Sequence, residues 1–315
     1  MSTSPTQPAR SILPTRGRIA IEVAGFAIGL GLLTWLVVIA VRDGDWTRVA
    51  EADGMLLFGL LACTLISAVL NGATFWITSR PVQRLGLLEL QGVNLVASML
   101  NYAPVRLGMV SRFVWHMRVD RMRLLDVLAW FAAVAVLIFC GLLVVLCATA
   151  VSPGIDAIWV VVLLVGWAVC GAIIRWPARL SIVRRHGRGF ERMLDDPAAR
   201  WGGLALRLLD VLTFAGRIAC ALAILGLELS SGQIVVLGAV AMLSNLIPVG
   251  RLGVREFAVA WTAARLGATS TTDVPWEQLA LLESAGEVLV YLPLGICASI
   301  WFVLGLRRGP RGQQQ

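Results

Sequence analysis

The sequence predicts an all-α polytopic membrane protein, with about six full spans plus two re-entrant hairpins arranged as two inverted-topology repeats. Three observations predict it: a composition too apolar for a water-facing surface, apolar runs of membrane-crossing length, and a short motif that occurs twice. Of 315 residues, 58% are hydrophobic and 15% are charged, against about 25% charged in a typical soluble domain.

The formal net charge is +8, and every basic residue among the 27 is arginine. In a soluble protein such a balance would suggest nucleic acid. Here the arginines cluster at the ends of apolar runs, so they are read as orienting the chain and contacting anionic headgroups. Membrane lipids, anionic or phosphate-bearing, are the expected partners, and nucleic acid is not. The six cysteines lie inside apolar runs without close pairing, and only His116 and His186 join them. Neither a metal site nor a cofactor is expected.

Residues 1–18 form a Ser-, Thr- and Pro-rich tail, expected to be disordered. The run 19–41 is too long for a signal-peptide core and is read as a retained span. Further spans fit 54–77, 124–149, 156–174, 203–227 and 277–304, each near the roughly 20 residues a helix needs to cross. Arginines crowd 106–123 and 175–200, whereas 150–155 and 228–232 carry none. The positive-inside rule then puts both termini and both arginine-rich connections in the cytoplasm, in a multi-pass protein of the plasma membrane. Residues 307–315 form a second cytoplasmic tail.

Two apolar segments, 88–102 and 233–249, are marginal in length, and each ends in a break containing Pro and Gly. The breaks match: Asn101, Pro104 and Val105 are followed by Arg106-Leu107-Gly108, and Asn245, Pro248 and Val249 by Gly250 and then Arg251-Leu252-Gly253. Both read N-x-x-P-V and then R-L-G, with one extra residue in the second copy. An odd number of spans separates them, so they enter from opposite faces, the first in a repeat over 19–150 and the second in a repeat over 151–306. Chance recurrence of Pro and Gly at helix ends is the competing explanation. Broken helices in inverted repeats are typical of secondary transporters.

The motifs N-Y-A-P-V-R-L-G-M-V-S-R (101–112) and P-V-G-R-L-G-V-R-E (248–256) resemble those of the flippase-like transmembrane domain of lysylphosphatidylglycerol synthetases and of related stand-alone proteins. The resemblance runs over about 19–306. It departs at Met109, where the family usually has Glu, and at Gly250-Arg251, where it usually has a Gly pair. The chain has no room for the synthetase domain, so the resemblance implies translocation without synthesis.

Charges inside spans are costly and usually functional. Asp210 and Arg217 share one face of the fifth span, and Glu283 and Glu287 one face of the last. Arg217 and Glu287 each lie about 15 Å from the outer end of their helix and are predicted to pair across a central cavity. They serve either a substrate path or a structural ion pair. Arg207, nearer the cytoplasmic end, is expected to snorkel. Arg255 and Glu256 after the second break, and Arg106 and Arg112 after the first, are placed to guide a lipid phosphate. Arg112 also fits a plain boundary role beside Arg118, Arg121 and Arg123. Trp46, Trp159, Trp176, Trp201 and Trp276 are read as interfacial anchors.

The leading functional expectation is a flippase-like carrier, not an enzyme, that moves an aminoacylated phospholipid or a polyisoprenyl-linked lipid through a cleft between the repeats. An accessory subunit of envelope lipid or glycopolymer assembly is the first alternative. A membrane-embedded lipid transferase is the second. A homodimer or an envelope-biosynthesis partner is compatible with all three.

Overall fold

The computed structural model describes residues 16–44, 46–102, 107–179, 181, 187–244, 253–267 and 276–308, which form helices and their connections with no strand among them. Thirteen α-helices are labelled in chain order. They open with α1 (Arg16–Asp43), α2 (Trp46–Ala50), α3 (Gly54–Ser79), α4 (Leu87–Leu100) and α5 (Leu107–Arg118). The middle of the chain holds α6 (Leu124–Val151), α7 (Ala157–Ile173), α8 (Arg175–Arg179) and α9 (Phe190–Asp195). After a π-helical turn (Ala198–Gly202) come α10 (Gly203–Leu225), α11 (Ser231–Ser244), α12 (Val254–Leu266) and α13 (Trp276–Arg308).

Among the described residues, four helical stretches are long and apolar enough to cross a membrane: Gly54–Ser79, Leu124–Val151, Ala198–Leu225 and Trp276–Arg307. Local chemistry fixes their ends. Asp53 accepts a hydrogen bond from the Met55 amide at the start of α3, and Asp156 does the same for Trp159 in α7, each satisfying a first-turn donor. Gly226, at φ +65°, closes α10 in the left-handed conformation, and Arg48 donates to the Leu225 carbonyl just before it.

Two expectations change here. The run 156–174 forms α7, of 17 residues, about 26 Å long at 1.5 Å per residue. The arginine-rich stretch 106–123, read as a connection, is largely the helix α5. Gly108, Ser111 and Trp115 recur along its buried face at the three- and four-residue spacing of an amphipathic helix. The predicted tails 1–18 and 307–315 lie outside the described residues, except that 16–18 belong to α1 and 307–308 to α13.

Helix directions follow from which residues meet. Gly59 on α3 faces the Cys220 sulfur on α10, and Gly216 faces that of Cys63, each 3.0 Å from where a β-carbon would sit. Further along, Ser67 bonds Asp210 and Asn71 bonds Arg207, so α3 and α10 run antiparallel over their length. Gly203 packs on Leu137 and Gly141 on Arg207, which makes α6 parallel to α10. Gly166 meets Val144 and Trp159 bonds Thr149, which turns α7 back. The arginine-bearing connections before α6 and before α10 therefore lie at one end of the bundle.

Between the long helices sit two helical pairs, α4 with α5 and α11 with α12. The first starts from the end of α3 and the second from the end of α10, so they enter from opposite ends. Each uses the last glycine of its R-L-G motif for close approach. A β-carbon on Gly108 would lie 2.1 Å from the Ala97 carbonyl oxygen of α4. One on Gly253, at φ +83°, would lie 1.7 Å from the Gly29 carbonyl oxygen of α1.

Gly253→Ala is expected to destabilise the protein by about 2–5 kcal/mol, combining left-handed strain with overpacking. Gly31→Ala, where a β-carbon meets nothing within 4 Å, is expected to be neutral or slightly stabilising. Thermal unfolding in detergent compares the two, and equal melting temperatures would contradict the tight contact.

Candidate functional site

The buried charges collect in two groups along α10. In the first, Arg217 Nη2 lies 2.6 Å from Glu283 Oε1 and 2.9 Å from Glu287 Oε2. Arg255, from α12, pairs with the same two carboxylates. The glutamates are one turn apart on α13, so their carboxylates project side by side. All four side chains are at most 2% exposed. Phe214 lies beneath both guanidiniums, its ring centre 4.9 Å from Arg217 and 5.8 Å from Arg255. Two cations and two anions balance, which an apolar interior requires of buried charge.

Glu287 is where the two helical pairs meet. It receives Arg255, two residues into α12, and on its other oxygen the Tyr102 hydroxyl, beyond the end of α4, at 3.2 Å. Glu256 has a local task instead. Its carboxylate accepts from the Gly253 amide at 2.7 Å and from the Ser284 hydroxyl of α13, fixing the start of α12 against that helix.

The second group lies deeper along α10 towards its start. Arg207 Nη1 is 2.8 Å from Asp210 Oδ2, Ser67 donates to Asp210 at 2.6 Å, and Arg207 Nη2 donates to Asn71 at 2.9 Å. Arg207 is 2% exposed, so the expected snorkelling does not occur. The π-helical turn extends the helix by more than a turn before Gly203, and Gly141 leaves room for the arginine stem against α6. The head is thereby held inside, between α3 and α10.

A cavity of about 270 Å³ lies beside these groups. Ser67, Asn71, Arg207, Asp210 and Glu287 contribute its polar wall, with Asn101, Gly108 and Arg112 from the first helical pair. Tyr291 closes it from α13. Arg112 differs from every other charge there. It forms no ion pair with a described residue; its Nε is buried without a hydrogen-bond partner, as are those of Arg207, Arg217 and Arg255. Aromatic faces lie beside it: the guanidinium sits 4.8 Å from the Phe75 centre and 6.0 Å from that of Phe131. Cation–π contacts are worth about 0.5–2 kcal/mol, which is support without neutralisation. Arg207, Asp210 and Glu287 on the same wall are each tied into an ion pair, and Arg112 is the charge there without one among the described residues.

The structure thus brings Arg217, Glu287, Glu283 and Arg255 together, with Asp210 and Arg112 separately on the cavity. Arg217 and Glu287 touch directly; no cavity separates them. Arg106, Pro104, Asn245, Pro248 and Gly250 lie outside the described residues. The sequence reading missed Tyr102, Tyr291, Ser67, Asn71, Phe75 and Phe131 as parts of the site. One signal was available: the chain has two tyrosines, and both lie here. Compared with protein-family models, curated proteins and solved structures, the chain matches none. The site is therefore read from its own chemistry.

Removing one member of the balanced group and removing Arg112 should have opposite consequences. Glu287→Gln leaves two guanidiniums facing one carboxylate and is expected to cost about 3–5 kcal/mol. Arg112→Ala removes a charge that has no counter-ion and is expected to leave the melting temperature unchanged or raised. Melting curves of both variants check this, and a large loss in Arg112→Ala would show that the arginine is paired.

Proposed function

We propose that this protein is a flippase-like carrier, which passes the phosphate-bearing headgroup of a lipid through the cavity between two inverted repeats while the acyl or polyisoprenyl tails stay in the bilayer. The observation that carries the reading is Arg112, a guanidinium with no carboxylate paired to it among the described residues, on the wall of a polar cavity inside an apolar bundle. An anionic phosphate brings the missing charge, and guanidinium binds phosphate through paired hydrogen bonds. Asn71, Asn101, Ser67 and Ser98 supply further polar contacts around the cavity, replacing the hydration a headgroup loses on entering.

The size agrees with a headgroup. At about 270 Å³ the cavity falls below the roughly 300–1,000 Å³ of pockets that engulf whole drug-sized ligands. In this reading the repeats occupy 19–150 and 151–306 and are related by inversion. Two features support it: the entry of the two helical pairs from opposite ends, and the meeting of Tyr102 and Arg255 at Glu287. With α1 and α7 as further passes, six spans place both termini and the arginine-rich end of the bundle in the cytoplasm, following the positive-inside rule. The resemblance to the flippase-like domain of lysylphosphatidylglycerol synthetases points the same way. The balanced group beneath the cavity then serves as the pivot that holds both helical pairs, and Arg112 as the substrate contact.

The test is translocation in proteoliposomes, using headgroup-labelled phosphatidylglycerol, its lysylated form and a polyisoprenyl phosphate. Wild type is expected to move at least one of them. Arg112→Ala is expected to lower that rate by about tenfold or more, the loss of one charge-assisted hydrogen-bonded contact of about 1.5–3 kcal/mol, without loss of folding. Arg112→Lys should retain part of it. A well-folded wild type that moves none of the three lipids would turn the reading to an accessory subunit of envelope assembly.

A further inference from the structure

A second basic site lies away from the cavity, at the arginine-rich end of the bundle where α7 passes into α8. It is a groove of about 480 Å³ lined by Ile173, Arg175, Trp176, Arg179, Arg200 and Trp201, among others. The π-helical turn builds one wall. It directs Trp201 onto α7, where the ring packs at a tilt against Trp167, centre to centre 4.7 Å, and fills the space above Gly171, 1.9 Å from where a β-carbon would be. A π turn adds a residue to the helical repeat, and such turns frequently mark functional sites.

Arg200, also on that turn, is fixed more firmly than a boundary arginine needs to be. It is 6% exposed, its Nη1 donates to the Leu194 and Asp195 carbonyls at 3.1 Å, and its head sits 5.4 Å from the Trp201 ring centre. Its Nε is buried with no hydrogen-bond partner. Opposite, Arg175 is half-exposed and shares Asp195 at 3.0 Å, while Arg179 forms no ion pair with a described residue. The other nearby carboxylate, Asp196, is engaged by the Ala199 amide at 2.8 Å. Three guanidiniums face two carboxylates, leaving a positive excess and an unsatisfied donor.

The rest of the groove is apolar. Ile173 is 59% exposed and Trp176 is 74% exposed, and they continue an outward face of α7 that carries Val161, Leu164, Val165 and Val169. Guanidiniums at one end, and bare aliphatic and indole surface at the other, reproduce in reverse the chemistry of an anionic phospholipid at the edge of the hydrocarbon layer.

We propose that this groove binds an anionic phospholipid, its phosphodiester between Arg175, Arg179 and Arg200 and its acyl chain along α7 beside Ile173 and Trp176. The lipid is a resident ligand, not the cargo, and the inference does not depend on what the central cavity does. The site takes a lipid whose phosphodiester has no headgroup cation to offset it, in preference to zwitterionic lipid or free phosphate.

Purified full-length protein, delipidated in detergent, is exposed to equimolar phosphatidylglycerol and phosphatidylcholine, and the retained lipid is measured by native mass spectrometry. Wild type is expected to retain phosphatidylglycerol preferentially. Arg175→Gln/Arg179→Gln, both exposed positions, should lower that preference by about thirtyfold, from roughly 1 kcal/mol per basic residue near a membrane surface, with no change in melting temperature. Arg112→Ala should slow translocation without altering this retention, which keeps the two sites separable. Equal retention of the two lipids by wild type, or an unchanged preference in the double variant, would overturn the proposal. Phosphatidylglycerol retention that millimolar inorganic phosphate abolishes would overturn the lipid assignment in favour of a free anion.

Discussion

Everything at the centre of this molecule is arranged around the carboxylate of Glu287. One oxygen takes two guanidiniums and the other a phenol, and these three partners come from α10, from the second helical pair and from beyond the end of the first. A carboxylate without them would carry an uncompensated charge in an apolar interior, a state no helical packing could offset. Three pieces of chain distant in sequence are thereby drawn to one point. The reciprocal glycine–cysteine contacts of α3 and α10 bring two long backbones close enough for this to happen.

Charge balance separates the structural from the available. Arg217 and Arg255 are paired with Glu283 and Glu287, and Arg207 with Asp210. Arg112 has aromatic faces for neighbours and no carboxylate paired with it among the described residues. In a bundle whose other cavity-lining charges are held in ion pairs, a guanidinium without one beside a cavity is informative, because buried charges are ordinarily paired.

Much of the helical framework could be read from the sequence, since length and apolarity alone specify α3, α6, α10 and α13. The meeting of Arg217 with Glu287 was also legible, because equal distance from the helix ends at a fixed rise per residue places both at one depth. Arg255 was harder. It follows a Pro–Gly break, and no periodicity says that the chain after such a break turns inward rather than out to solvent. Arg207 was misjudged for a related reason: its distance from the surface depends on a π turn, which has no sequence signature. The helix α5 was hidden by its arginines, which dominate composition while Gly108, Ser111 and Trp115 define its buried face. Phe75 and Phe131 could not be assigned to Arg112 from sequence, because they belong to helices whose relative rotation is set by packing.

The short helix α7 has a consequence for the lipid around it. In the proposed six-span topology α7, bounded by Asp156 and Arg175, would present about 26 Å of apolar length to a hydrocarbon layer about 30 Å thick. Hydrophobic mismatch of about 4 Å is relieved by local compression of the bilayer, at fractions of a kcal/mol per Å. In that topology the two leaflets would be drawn towards each other along this flank, denting the membrane on the side where α7 is exposed.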